Sequence, residues 1–268
     1  MQYIGIILGY SILIIPIIRV FGSFLRVLIL KKFYYKTFKE KVEFLLDKKL
    51  IEKIVKDSYY LWVSFIAFIV YTQIDKIMIG KMLGVADVGT YSIAIQLSGV
   101  LAILIGPFQN SIYPKMMDLY RKDYDNYKAL YLKVNTVFTQ IYLFISILSI
   151  IVVKYLFLYI YAKEYTPAIL CYGILTVSVF FKANGALQTG HMTLKRITKK
   201  SFYKTLFGLV LNIILNLTLI PKYGIYGAAI ATSITQVFTI FIVDYFIEEY
   251  REQFFIQLKS FNPLNMKG

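Results

Sequence analysis

Three ionisable side chains interrupt long apolar stretches of this sequence: Lys182, Arg19 and Asp75. Charged groups are costly in hydrocarbon, so inside a membrane they mark a binding site, a water-filled cavity or an ion pathway. A lysine or an arginine in such a place would bind an anion such as a phosphate. An aspartate would bind a coupling cation or a proton, or would pair with a neighbouring lysine such as Lys76.

Lys182 is the strongest of these candidates. A charge near the middle of a span costs about 2.5 to 3.5 kcal/mol on insertion scales. Lys182 lies 13 residues before Lys195, which is too deep to reach the membrane surface if its helix ends near Gln188. A shifted helix boundary is the alternative. For Arg19 and Arg26, which would share a helix face, the alternative is anchoring at the cytoplasmic membrane surface.

Uncharged polar residues recur at three-, four- and seven-residue steps in the apolar runs, so they share helix faces. Facing a cavity, their amides and hydroxyls would exchange hydrogen bonds with a polar ligand. The alternative is packing, because small and amide residues also join membrane helices. Packing is the preferred interpretation for Asn212 and Asn216. The candidates for ligand binding are Gln96, Asn110, Thr232 and Gln236.

Motifs for enzyme chemistry are missing from the sequence. There is no phosphate-binding loop of the G-x-x-x-x-G-K-[ST] type and no set of histidines and carboxylates at metal-ligand spacing. Cys171 has no second cysteine to pair with, and a lone His191 is more typical of an interfacial residue than of a catalyst. We therefore expect a protein that is not an enzyme and that uses neither a cofactor nor a metal.

The elements that carry these residues are long apolar runs. The sequence is 58% hydrophobic and 17% aromatic, with a mean hydropathy of +0.63, and a membrane-spanning helix needs about 20 mostly apolar residues. The composition predicts an all-α polytopic membrane protein. About seven spans are predicted, at 3–30, 58–80, 88–113, 134–153, 165–188, 205–220 and 223–244. The last two are joined by Pro221-Lys222-Tyr223-Gly224, which predicts an antiparallel hairpin.

Basic residues alternate between the loops of this topology. Segments 31–57, 113–133, 191–204 and 247–268 carry 22 lysines and arginines, whereas the intervening loops carry Lys81, Lys154, Lys163 and Lys222. The positive-inside rule then predicts a cytoplasmic C-terminus and an N-terminus outside. It also explains the net charge of +15 without nucleic acid as a partner.

The spans and loops predict four regions. These are a first transmembrane helix at 1–30, a cytoplasmic amphipathic connector at 31–57, a six-helix transmembrane lobe at 58–246 and a cytoplasmic tail at 247–268. Apolar residues at helical spacing in the connector favour helices that lie on the anionic membrane lipids. A binding site for a regulatory partner is the alternative.

Two strings resemble a known family. They are QIDKIMIGKMLGVADVGTYSIA at residues 73–94 and NLTLIPKYGIYGAAIAT at residues 216–232. Both are similar to polysaccharide flippases, the O-antigen and capsule repeat-unit translocases of the multidrug/oligosaccharidyl-lipid/polysaccharide flippase superfamily. The first resembles the Asp-containing helix that opens the second half of such proteins, and the second resembles their late hairpin.

The resemblance implies one lobe of a two-lobe flippase together with the preceding helix. Members usually have a dozen or more helices around a central cavity, so an N-terminal lobe is missing here, to be supplied by a separate chain or a homo-oligomer. The implied activity is translocation of polyprenyl-pyrophosphate-linked oligosaccharides across a bacterial inner membrane. Lys182 and Arg19 would then bind the pyrophosphate, Asp75 would bind the coupling cation, and the sugars would contact Gln96, Asn110, Gln236 and Thr232.

Other functions stay open at this point. A multidrug or cation antiporter of the same superfamily would prefer acidic residues in its cavity, and few carboxylates lie inside these spans. A polytopic glycosyltransferase or ligase would carry a sizeable external loop, and the external loops here are short. A truncated chain that inserts without transporting is the third alternative.

Overall fold

The computed structural model describes residues 14–38, 47–195 and 198–266, and in these ranges the chain is helical with no strand. It divides into two compact units, Met1–Val55 and Lys56–Gly268. The described residues of the first unit belong to α1 (Ile14–Phe38) and to the beginning of α2 (Lys48–Met82). Helix α1 continues beyond residue 30, and large apolar side chains such as Phe21 and Phe24 are exposed along it.

The second unit is a helical bundle. Asp123 accepts a hydrogen bond from the backbone N–H of Asn126 at 3.1 Å and so is the N-cap of the helix Tyr124–Ile160. After α2, the helices of this unit are α3 (Val85–Ala102), α4 (Ile105–Lys122), α5 (Tyr124–Ile160), α6 (Pro167–Asn184), α7 (Gln188–Leu194), α8 (Thr198–Tyr223), α9 (Ile225–Val237), a π-helical segment (Phe238–Ile242), α10 (Val243–Phe246) and α11 (Glu248–Lys259). Short 3₁₀ turns lie at Lys163–Tyr165 and Pro263–Met266.

Among the described residues of this unit, five stretches are long and apolar enough to cross a membrane, and they correspond to five of the predicted spans. The prediction of an all-α polytopic membrane protein is therefore confirmed. The remaining predicted spans, 3–30 and 58–80, include residues or side chains outside the description. The five stretches are Val85–Lys122, Tyr124–Ile160, Lys163–Asn184, Phe202–Tyr223 and Ile225–Phe246.

Helix α6 lies at the centre of the bundle and packs against α3, α5 and α9. Its buried residues Cys171, Tyr172 and Leu175 belong to a core that also contains Ile79 and Tyr91. Large apolar side chains on the outer faces, such as those of α5, are exposed. This is the distribution expected when lipid replaces water around a bundle.

The segment 247–268, predicted as a tail, contains a helix that packs against the bundle. Helix α11 contacts α5. Its Glu252 accepts a hydrogen bond from Tyr124 at 2.8 Å and pairs with Lys195 at 3.3 Å and with Lys128 at 3.6 Å. Burial raises the pKa of Glu252, but the hydrogen bond from Tyr124 and the two lysines outweigh it, so the pKa lies below its usual value. The contacts fix this helix to the ends of α5 and α7.

Helices α8 and α9 form the hairpin that the sequence predicts. Gly224 joins them with φ +59°, a left-handed conformation that glycine adopts without strain. Gly227 then lets the two backbones approach closely, because a Cβ on it would collide with the carbonyl of Leu219 and lie 2.9 Å from the nitrogen of Ile220. Helix α8 is longer than the predicted span 205–220, since its first turn continues into the basic segment before it.

Gly227→Ala should weaken the bundle. The added methyl meets backbone atoms that cannot move aside, and overpacking of this kind costs about 1–3 kcal/mol. The measurement is the free energy of unfolding, or the melting temperature, of the purified protein in detergent.

The matched control is Gly173→Ala on α6, where a Cβ would have no neighbour within 4 Å. It should be neutral or stabilising by up to about 1 kcal/mol. Equal stability of the two variants would contradict the close approach of α8 and α9.

Candidate functional site

Asp75 lies at the centre of a buried network formed by four helices. Its carboxylate accepts hydrogen bonds from Tyr91 at 2.9 Å, from Thr232 at 2.5 Å and from Asn216 at 2.6 Å. Asn216 also donates to Asn212 at 3.0 Å. These partners lie on α3, α9 and α8, and the side chain of Asp75 is 5% exposed. The carboxylate is thus held by neutral donors, and not by a neighbouring lysine.

A second contact joins α2 and α9, one helical turn away from Asp75 and Thr232. Tyr71 precedes Asp75 by one turn of α2, and Gln236 follows Thr232 by one turn of α9. The hydroxyl of Tyr71 donates to Oε1 of Gln236 at 3.3 Å. Through these side chains the Asp75 network continues into the wall of a cavity.

The cavity lies in the second unit and has a volume of about 340 Å³. It is bounded by α2, α4, α6, α7 and α8, by the residues that connect α6 to α7, and by the end of α9 with its π-helical segment. Lysine ammonium groups and amides give it a cationic, hydrogen-bonding surface. Its long polar side chains are Tyr71, Gln109, Lys182, Gln188, Lys204 and Gln236.

Lys182 lines this cavity, but its place in the helix differs from the prediction. Helix α6 ends at Asn184 and not near Gln188, so Lys182 lies in the last turn of α6. Gly185 follows Asn184 directly, and its backbone N–H donates a hydrogen bond to the carbonyl of Phe181 at 2.9 Å. A cation in the last turn of a helix is stabilised by the helix dipole. The case for Lys182 as a binding residue therefore depends on the cavity that it lines, and no longer on a position deep in a continuous span.

Glycines allow close packing around the cavity. A Cβ on Gly208 would lie 2.7 Å from Cγ2 of Thr239, and a Cβ on Gly185 would collide with Ile240. Thr239 and Ile240 both belong to the π-helical segment. The backbone at Gly185 and Gly208 thus lies directly against the π-helical segment and forms this part of the cavity wall.

The other predicted ligand residues are distributed over several places. Gln236 lines the cavity with Lys182, whereas Thr232 donates to Asp75. Asn110 lines a second cavity, of about 290 Å³, which shares Gln109 and Ala186 with the first. Gln96 is exposed and lines neither of these two cavities. The predicted role of Arg19 falls on a side chain outside the description.

Sequence reasoning missed three polar residues of the cavity, Gln109, Gln188 and Lys204. Lys204 was counted among the basic residues of the loop 191–204, although it lies on α8. Gln109 donates to the carbonyl of Ala186. Its position directly before the predicted Asn110 was an available signal.

His191 is a buried structural residue. Nδ1 of its ring is hydrogen-bonded to the hydroxyl of Tyr127, among the aromatic rings of Tyr120 and Tyr131. Burial, with the nearby charge of Lys195, lowers the pKa of His191 to about 4. The imidazole is therefore neutral at physiological pH. Within the described residues, no group of three or more His, Cys, Asp or Glu side chains is arranged to hold a metal.

This chain is similar in sequence to other membrane proteins. Residues 3–120 match the family model described as polysaccharide biosynthesis protein. An uncharacterized membrane protein of Methanocaldococcus jannaschii is 30% identical over 177 residues, which cover 66% of this chain and 41% of the relative. A second one from the same organism is 26% identical over 232 residues, covering 84% of this chain and 43% of the relative.

A solved structure has the same fold. It is a MOP superfamily transporter from Pyrococcus furiosus, with a TM-score of 0.60 and 19% sequence identity, and the match covers 80% of this chain and 53% of that one. The chain thus spans about half the length of the proteins that it matches. Residues 3–120 thus match the polysaccharide biosynthesis family, and the chain has the fold of a MOP superfamily transporter.

Proposed function

We propose that this chain forms one lobe of a flippase for polyprenyl-pyrophosphate-linked oligosaccharides. The observation that carries the proposal is the cavity in which Lys182 lies among amide and hydroxyl side chains. An ammonium group suits a pyrophosphate, and amides suit sugar hydroxyls. Such a protein translocates its substrate without changing it chemically, so it is not an enzyme and needs no cofactor.

The charge of Lys182 is available to a substrate. Among the described residues, no carboxylate lies within ion-pairing distance of its ammonium group. The side chain of Lys182 is exposed at the cavity. A cavity of about 340 Å³ is at the small end of ligand pockets, which hold about 300–1,000 Å³. It suits the headgroup next to the lipid and not the complete oligosaccharide, while the polyprenyl tail stays among the membrane lipids.

A second lobe would supply the opposite wall. In transporters built from two related halves, the substrate lies near the bilayer midplane between them. Gln96 and Asn110, which do not line this cavity, are then assigned to the remainder of that shared surface, and Arg19 stays a predicted ligand of the pyrophosphate. The location proposed from the loop charges is a bacterial inner membrane with a cytoplasmic C-terminus.

Asp75 would bind the ion that drives transport. Its carboxylate joins α2, α3, α8 and α9 through hydrogen bonds from Tyr91, Asn216 and Thr232. Oxygen ligands of this kind suit a small hard cation or a proton. An ion bound there would tie the hairpin α8–α9 to α2, and its release would let these helices move apart.

A cation antiporter is less well supported. Such a protein would need an acidic cavity, whereas Lys182 and Lys204 line this one. The Pyrococcus furiosus transporter is described as having a binding pocket of reverse polarity that suggests a different function. We therefore use the charge of the cavity to choose between a cationic and an anionic substrate.

Lys182→Ala should weaken binding of the pyrophosphate headgroup and therefore slow its export. Loss of one hydrogen bond to a charged group lowers affinity about 10- to 100-fold, so flipping of a fluorescent polyprenyl-pyrophosphate oligosaccharide in proteoliposomes should fall by at least about tenfold. The measurement uses the full-length transporter, and Lys182→Arg should restore part of the rate.

The control is Lys154→Ala, which removes an exposed lysine of α5 outside the cavity and should flip substrate at the normal rate. Unchanged flipping by Lys182→Ala at normal protein levels would refute the assignment.

Asp75→Asn should remove the response to the coupling ion. An ion that binds only the folded protein at 100 times its Kd stabilises it by about 2.7 kcal/mol. The melting temperature of the wild-type protein should therefore rise with Na⁺ or with acidification, and that of Asp75→Asn should not. Asp118→Asn, which removes an exposed carboxylate paired with Lys122 at 2.8 Å, should respond like the wild type. A normal ion response in Asp75→Asn would exclude this role.

A further inference from the structure

A second lysine of the cavity is held by an internal carboxylate. Nζ of Lys204 donates to Asp244, and it also donates to Oε1 of Gln188 at 3.0 Å. Nε2 of Gln188 donates in turn to the other oxygen of Asp244. The three side chains form a closed triangle that joins α7, α8 and α10. The ring of Tyr250 lies 5.2 Å from the ammonium group and makes a cation-π contact with it.

This ion pair is buried and yet belongs to the cavity wall. Relative side-chain exposure is 8% for Lys204 and 0% for Asp244. Lys204 and Gln188 nevertheless line the same cavity as Lys182, whereas Asp244 is fully buried and does not line it. An anion that enters the cavity therefore meets Lys182, which has no ion-pair partner among the described residues, and Lys204, which is already paired with Asp244.

The neighbouring ion pair on the same helix is different. Lys200 lies one turn before Lys204 on α8 and pairs with Glu249 of α11, with exposures of 48% and 35%. Neither of these two residues lines the cavity. A surface pair of this kind contributes little to stability. It offers a matched comparison, because it has the same chemistry without contact to the cavity.

Resting on the proposed function, we infer that Asp244 is an internal counter-anion that holds Lys204 until the pyrophosphate of the substrate displaces it. A pyrophosphate that is esterified at both ends carries one ionised oxygen on each phosphate. Lys182 and Lys204 would then each bind one phosphate. Gln188 keeps its hydrogen bond to Asp244 after the exchange, so the carboxylate is not left without a donor.

The position of the pair favours this role over a purely structural one. A buried ion pair stabilises a fold weakly, and a well-packed apolar pair of similar volume often does as well. The desolvation of Lys204 is useful, however, if the ammonium group is to bind a second anion, because charge interactions are stronger where water is excluded. Without a substrate, Asp244 neutralises that charge.

The test is the affinity of Asp244→Asn for inorganic pyrophosphate and for a short isoprenyl pyrophosphate in detergent micelles, measured by titration calorimetry. Removal of the competing carboxylate should tighten binding of both ligands by about tenfold or more. Glu249→Gln, which makes the same change at the surface pair, should bind like the wild type. Binding by Asp244→Asn that is no tighter than that of the wild type would overturn the inference.

A second variant covers the case in which Asp244→Asn does not fold. Lys204→Met combined with Asp244→Asn replaces the ion pair by a neutral pair and leaves no unpaired buried charge. It should fold and bind both pyrophosphates about tenfold more weakly than the wild type, since one ammonium group is lost. Binding as tight as that of the wild type would also overturn the role of Lys204.

The same titrations separate this inference from the proposed function. A wild-type protein that binds neither ligand overturns both. Binding that needs Lys182 but is unaffected by Asp244→Asn overturns the counter-anion alone. Tighter binding of inorganic pyrophosphate without tighter binding of the isoprenyl form would overturn the lipid headgroup as the ligand.

Discussion

The second unit depends on a constraint that the bilayer imposes: a carboxylate inside it must be surrounded by donors. Asp75 meets this constraint with Tyr91, Asn216 and Thr232, which come from three different helices. An orphaned charge in hydrocarbon would cost several kcal/mol, so the network orders α2, α3, α8 and α9 around one point. Tyr71 and Gln236 extend the same helix contact to the cavity. Through Tyr71 and Gln236, this carboxylate is linked to the wall of the cavity that the two lysines line.

Much of the fold followed from residues that are visible in the sequence. Apolar runs predicted the five spans found among the described residues, and Pro221 to Gly224 predicted the hairpin. Asp75 could be chosen as a candidate site residue from the cost of its charge alone. Its partners did not follow, because Asn216 and Thr232 lie 141 and 157 residues further along the chain. Only the packing of α8 and α9 against α2 brings them together.

The cavity was less accessible to sequence reasoning because helix boundaries decide which charges face it. Lys182 lines the cavity, but the sequence placed it in a span that ends near Gln188, whereas its helix ends at Asn184. Lys204 was hidden in a basic segment, since a lysine next to other lysines is typical of a solvated loop. Asp244 lay at the end of a predicted span, with nothing in its neighbourhood to indicate Lys204 as its partner. These three residues are recognised only when the ends of α6, α8 and α10 are known.

The π-helical segment Phe238–Ile242 has a consequence for how the cavity is aligned. In a regular α-helix, the eight residues from Gln236 to Asp244 would leave the two side chains about 80° apart. A π-helical turn holds about one residue more than an α-helical turn, which offsets roughly 100° of rotation and returns Asp244 close to the direction of Gln236. The length of this segment, and not only its residue types, thus decides whether the carboxylate can pair with Lys204. In an alignment of relatives, a one-residue gap at this segment would indicate a change of ligand even where every polar residue is retained.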